Sequence, residues 1–267
     1  MKGKVLMNLQ QSLVRARNYY QKSAGRFVYR RTLIVRPPRP LISFSFDDFP
    51  RTALIAGGSI LRHYDLSGTY YVSLGLLDME SPSGTICSLD DLKALVEQKH
   101  ELGCHTYSHC HSWRTNPEAF EASIIKNRAE LKKMFPDLEF RTFAYPLSVP
   151  HPRNKAKASR YFKGCRGGSQ TLNVGRTDLN DLSATFIERT GGDMRVVREL
   201  IDRNRGESAW TIFATHDVSP HPSPYGCTPR FFEEIVEYAL KSGALVLPVA
   251  QALNALTEES ARSERPK

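Results

Sequence analysis

Leu41-Ile42-Ser43-Phe44-Ser45-Phe46-Asp47-Asp48-Phe49-Pro50 is the stretch from which the fold is read. Its first six residues form the alternating, bulky run of a buried strand, and Pro50 stops the run just past the acids. Two carboxylates therefore stand at a strand's C-terminal mouth. Side by side they raise each other's pKa unless a cation or a donor separates their roles, and a metal ion is one remedy. Taken alone, the pair also reads as a helix N-cap before a helical stretch at Thr52 to Tyr64.

A second cluster, Gly103-Cys104-His105-Thr106-Tyr107-Ser108-His109-Cys110-His111, spaces His105 and His109 four apart, which brings two imidazoles to one side of a helix turn or of a strand. One Asp and two His make three ligands with open positions, the pattern of a catalytic rather than a closed structural zinc. Trp210-Thr211-Ile212-Phe213-Ala214-Thr215-His216-Asp217 delivers a third histidine to a strand end, where function is favoured over a core role. Arg141 to Ala144 ends in the turn Tyr145-Pro146-Leu147-Ser148, whose backbone N–H groups can face a ligand. His63, His100, His151 and His221 lack such context and read as surface residues, and His111 as a neighbour of the ligands at most.

At 267 residues and 40% apolar content, the chain can bury one large core. Its five cysteines are odd in number and scattered, without a C-x-x-C pair, so neither a disulfide framework nor a cysteine zinc site is indicated. With no apolar signal region and no membrane span in the sequence, a cytoplasmic location is expected. Residues 1–40 hold ten basic residues and no acid, against 27 basic and 28 acidic residues in the remainder. This argues against a nucleic-acid binder, whose basic footprint would lie on the domain itself. Leu6, Leu9, Leu13, Ala16 and Tyr20 recur at helical steps among the basic residues. Residues 1–36 could thus lie on an anionic membrane surface at its inner face, or pack their apolar stripe on the barrel. Phe27-Val28-Tyr29 and Thr32-Leu33-Ile34-Val35 read as short strands, and Pro37-Pro38-Arg39-Pro40 as a stiff boundary. The expected division is a basic arm, 1–37, and a catalytic domain, 38–267.

Beyond the boundary, strands alternate with helices. The expected strands are Leu41–Phe46, Thr69–Ser73, a piece ending near His105, Arg141–Ala144, Tyr161–Arg166, Ala184–Ile187, Trp210–Thr215 and Ala244–Leu247. The expected helices are Thr52–Tyr64, Leu89–Leu102, Pro117–Phe135, Met194–Asn204 and Arg230–Ser242. Repeated units of this kind predict an α/β fold whose parallel sheet closes into a barrel, with chemistry at the strand C-termini.

These residues resemble the polysaccharide deacetylase family, the NodB-homology carbohydrate esterases. Ser45-Phe46-Asp47-Asp48 is similar to its T-F-D-D-G, His105-Thr106-Tyr107-Ser108-His109 matches its H-[ST]-x-x-H, and Thr215-His216-Asp217 resembles its late His motif. The resemblance spans about residues 40–250. It implies a distorted (β/α) barrel of about seven strands, with Asp47 as general base and His216 as general acid. Asp48, His105 and His109 would bind zinc or another divalent ion such as cobalt or manganese. The substrate would be an N-acetylated oligo- or polysaccharide, free or lipid-linked. An oxyanion would be held by the Leu147 N–H, at the family's Tyr position, with Tyr145 and Pro146 beside it.

Three departures stand out. Phe49 replaces the family's Gly, which predicts a differently shaped mouth; the Asp-Trp motif is not recognisable; and the R-x-P-Y motif lacks its Arg. Arg166, at the end of Lys163-Gly164-Cys165-Arg166 before a Gly pair, is the substitute that could orient Asp47. A non-haem iron oxygenase shares the two-His one-carboxylate set but needs neither Asp47 nor a distant acid His. A non-catalytic membrane-binding adaptor is the remaining alternative.

Overall fold

The structure, a computed structural model, describes residues 13–263 apart from 15, 18, 21, 22 and 24. Strand β1 (Thr32–Val35) precedes β2 (Leu41–Phe46), β3 (Thr69–Val72), β4 (Glu101–Cys104), β5 (Thr142–Ala144) and β6 (Gly164–Arg166). Then come β7 (Gly175–Asp178), β8 (Thr185–Phe186), β9 (Trp210–Thr215) and β10 (Leu245–Val246). Seven of these form one sheet in the order β8-β9-β2-β3-β4-β5-β6, every neighbour parallel, with β10 added on the first half of β2. The sheet curls. Its two edges are stitched by the segment before β8, where the Leu182 amide donates to the Cys165 carbonyl, the Gly167 amide to Leu182 and the Gln170 amide to Ala184. This is the expected α/β barrel.

Period-two alternation along β2 explains how the acids reach the mouth. Ile42, Phe44 and Phe46 face the helices, with Phe44 and Phe46 against Phe232, whereas Ser43 and Ser45 take the other face. Small residues are needed there: the Trp210 indole donates to Ser43 Oγ at 3.0 Å, and Ser45 Oγ donates to the Phe213 carbonyl. Asp47, next on that side, turns into the barrel. At the base, half-buried Glu101 accepts from Thr69, Thr142 and the Ala250 amide, which ties β3, β4 and β5 to the C-terminal helix at Val249–Ser263. Burial holds that carboxyl above its usual range despite these donors.

Several elements differ from expectation. Thr52 to Tyr64 opens as a π turn over Ala53–Gly58 before an α turn at Ser59–His63. Leu89 to Leu102 is a helix only over Leu89–Glu97, closed at its start by a Ser88/Asp91 capping box, and Glu101 already belongs to β4. Phe27-Val28-Tyr29 is not a strand: the described residues among 13–27 are helical and Val28 and Tyr29 form a bend. His100 is no surface residue, because its buried Nδ1 accepts from the Gly68 amide at 3.0 Å.

The arm is fastened to the barrel. β1 pairs antiparallel with β7, and the Arg31 guanidinium donates to the carbonyls of Ser159, Phe162 and Lys163. Buried Lys155 bonds both the Gly25 carbonyl, at 2.6 Å, and Asp178. The Tyr20 ring meets Trp113 edge-on. Leu6 and Leu9 lie outside the described residues, while Leu13, Tyr19 and Phe27 are solvent-exposed. Among the described residues no helix is long and apolar enough to cross a membrane.

Candidate active site

Of the strand-end residues singled out above, Asp47, Asp48, His105, His109, Leu147 and His216 line one cavity of about 450 Å³ at the C-terminal mouth of the sheet. Asp48 sits at its centre. His109 Nε2 lies 3.2 Å and His105 Nε2 3.5 Å from its Oδ1, and His216 Nε2 lies 3.9 Å from its Oδ2. Burial works against the Asp48 charge, but the three imidazoles, that of His109 foremost, hold its carboxyl far below the usual range.

The histidines arrive on an irregular turn, not on a helix or strand. Thr106 and His109 take positive φ (61° and 51°), and Thr106 Oγ1 accepts from the Cys110 amide to close the turn. Asp48 and Phe49 are likewise left-handed, at φ 60° and 53°. That backbone accounts for glycine at the Phe49 position in the resembled motif, since only glycine adopts it without strain. Phe49 does not reshape the mouth as expected. Its ring is buried beneath the site, 4.9 Å from that of Tyr70.

Asp48, His105 and His109 fit a metal ion on two observations. Their ligand atoms lie within 4.8 Å of one another, and Asp48 Oδ1 is buried without a hydrogen-bond partner. The His105 Nδ1 is 2.9 Å from the Ala144 carbonyl, which can only accept, so the proton resides on Nδ1 and the Nε2 lone pair faces Asp48. Burial drives the His105 pKa down to about 4, which keeps this imidazole neutral and ready to ligate. Two lone-pair-bearing atoms facing each other call for a cation between them.

Asp47 takes no part in that set. Its carboxylate meets the Arg166 guanidinium from β6, and both side chains are buried. Arg166 Nη1 also donates to the Gly167 carbonyl, and the guanidinium lies over the Tyr71 ring at 5.1 Å. His216 Nδ1 lies 3.2 Å from the Tyr225 carbonyl, which turns Nε2 toward Asp48. Leu147 stands exposed on the rim at φ 61°. Tyr145 and Pro146 lie below the rim rather than in the cavity: both are buried, and the Tyr145 hydroxyl donates to the Asn180 carbonyl. His111 sits beside the ligands and accepts from the Trp113 amide.

Sequence reasoning missed one wall. Phe186 ends the short strand β8, Glu188 and Arg189 follow it, and a two-stranded hairpin, Glu80–Ser81 with Gly84–Thr85, forms part of the rim. No motif marks either.

A curled parallel sheet with an Asp-His-His set and a separate arginine-held Asp at its mouth defines a NodB-type (β/α) barrel. Residues 35–161, just under half of the chain, match the family model described as Polysaccharide deacetylase. Among solved structures, a family 4 acetyl xylan esterase from Clostridium thermocellum in complex with a cobalt ion aligns at 22% identity and TM-score 0.58, covering 82% of this chain and 92% of that one. A deacetylase solved with substrate aligns at 16% identity and TM-score 0.55, covering 83% and 92%. A CE4 family pseudoenzyme from Bacillus anthracis aligns at 14% identity and TM-score 0.57, covering 81% and 66%. At these identities the likeness is one of fold. No protein in the curated set matches the sequence.

Proposed function

We propose that the protein is a metal-dependent hydrolase that removes N-acetyl groups from an amino-sugar-containing oligo- or polysaccharide. The observation that carries this reading is the division of labour in one cavity: three residues shaped as metal ligands, one carboxylate outside that set with its own arginine, and one strand-end histidine. A divalent ion such as zinc, held by Asp48, His105 and His109, supplies polarisation of the acyl carbonyl and a more acidic water. Asp47 takes the proton of the attacking water, and Arg166 holds its carboxylate in the position where it can do so. The Leu147 amide is the donor for the developing oxyanion. His216, its Nδ1–H committed to the Tyr225 carbonyl, offers Nε2 to protonate the departing amine.

An iron oxygenase would use the same three ligands but has no task for Asp47, Arg166 or His216. For the arm we propose contact with an anionic membrane at its cytoplasmic face, which would bring the mouth to a lipid-linked saccharide. Support comes from its acid-free composition and from the exposed Leu13, Tyr19 and Phe27. The test of the catalytic reading is acetate release from a panel of N-acetylated glycans by the zinc- or cobalt-loaded protein, abolished by chelation. Absence of acetate from every glycan, together with ferrous iron- and oxygen-dependent turnover, would replace it.

A further inference from the structure

The turn that carries Leu147 contains two left-handed residues, Leu147 and Ser148, both at φ 61°, and is closed by the Ser148 amide, which donates to the Tyr145 carbonyl at 2.7 Å. Neither is glycine, so the backbone is strained and keeps this shape only where its surroundings hold it. The N-terminal arm supplies those surroundings on both flanks. Ahead of the turn, the Tyr145 hydroxyl donates to the Asn180 carbonyl at 3.0 Å, and Asn180 Nδ2 donates to the carbonyl of Tyr29 in the arm at 2.7 Å. Asp178 Oδ1 accepts from the backbone amides of both Asn180 and Arg31, at 3.0 Å each. Past the turn, Gly25 runs so close to Pro150 that a Cβ on it would lie 2.8 Å from the Pro150 carbonyl oxygen. Lys155, on the helix Pro152–Ala158 that follows, holds the Gly25 carbonyl. Tyr20 of the arm meets Trp113, whose ring also lies 4.6 Å from that of His151, the cap of the same helix. Tyr145, Asn180 and Lys155 are buried, so water does not replace a bond lost there.

We propose that the docked arm sets the position of the Leu147 amide, with Asn180 as the positioning residue that carries arm contact into the turn and Gly25 as the second brace. This rests on the deacetylase reading above, in which that amide meets the developing oxyanion. Such a donor acts on charge present only in the transition state, so its misplacement lowers kcat and leaves KM near the wild-type value. Full-length, zinc-loaded variants test this: Asn180→Leu loses the donor to Tyr29, Tyr145→Phe loses the hydroxyl alone, and Gly25→Ala drives the arm off Pro150. In each, hydrogen exchange at the Ser148 amide quickens about tenfold while the β9 amides keep wild-type rates. With zinc retained, kcat for acetate release from the N-acetylated glycan that wild type hydrolyses fastest falls about tenfold. Asn180→Leu combined with Tyr145→Phe is no slower than the slower single variant, since both break one chain of bonds. Tyr145→Phe, closest to wild type in shape, serves should the others fail to fold. Unchanged exchange at Ser148 in the folded variants, exchange quickened equally in β9, undiminished kcat, or a loss confined to KM overturns the proposal. If wild type releases acetate from no glycan, the deacetylase reading falls by itself, and exchange at Ser148 alone then upholds or overturns the brace.

Discussion

The Arg166 guanidinium, delivered by β6, lies against the Asp47 carboxylate at the end of β2, although 119 residues separate them in sequence. Both side chains are buried, so neither charge is tolerable without the other. Arg166→Ala should therefore cost about 3–5 kcal/mol of stability by leaving a buried carboxylate unpaired. Arg166→Lys keeps the charge but loses the planar fork that also bonds the Gly167 carbonyl, and should fold while lowering turnover roughly tenfold or more. Denaturant melts and kcat measured on both variants check the pair; wild-type turnover in the lysine variant would deny Arg166 its orienting role.

The pair also shows what the sequence made legible. Strand ends at Phe46, Ala144, Arg166 and Thr215 could be placed because apolar runs stop at Pro, Gly or polar residues, and each end carried a group of evident chemistry. The Phe186 to Arg189 wall escaped notice although a strand was expected at Ala184–Ile187, because its chemistry comes from a carboxylate whose surroundings are a property of packing. The turn that aims His109 depends on left-handed residues that are not glycine, which local propensity does not foresee. His100 read as surface because nothing in its neighbours announces the Gly68 amide it accepts from.

Removal of one ligand tests the metal set. His105→Ala should lower bound zinc from one equivalent to a small fraction by elemental analysis, as only Asp48 and His109 remain. A full equivalent retained would remove His105 from the ligands.

Phe49→Gly restores the residue of the resembled motif and relieves a left-handed backbone at φ 53°, yet should destabilise the protein by about 2–4 kcal/mol. The cavity left against Tyr70 outweighs the strain relieved. Chemical denaturation of the two proteins decides the balance, and a more stable glycine variant would contradict it.

Burial lowers the His100 pKa to about 4 from an ordinary 6.5. The unfolded chain therefore binds a proton that the folded one refuses between those values, and stability falls as pH drops through this window. His100→Asn keeps an acceptor for the Gly68 amide but cannot titrate. Between pH 7 and pH 4.5 the wild-type protein should lose about 2–3 kcal/mol more than this variant. Parallel pH profiles would show that His100 carries no such linkage.

Contact of the arm with membrane should depend on its exposed ring and charge. Deleting the whole arm would also remove β1 and its pairing with β7, so the combined Arg17→Gln, Tyr19→Ser, Phe27→Ser protein is the cleaner comparison. It should lose salt-sensitive binding to phosphatidylserine vesicles while hydrolysing a soluble substrate normally. Vesicle affinity equal to wild type would eliminate the membrane role.

That Asp47 acts as a base outside the metal set is tested most directly by acetate release from zinc-loaded Asp47→Asn beside the zinc-loaded wild type, with bound zinc quantified in both. A catalytic base outside the metal set leaves one equivalent of zinc in each protein and lowers turnover by on the order of a hundredfold or more in the variant. Undiminished turnover with zinc bound, or loss of zinc with the substitution, would contradict it.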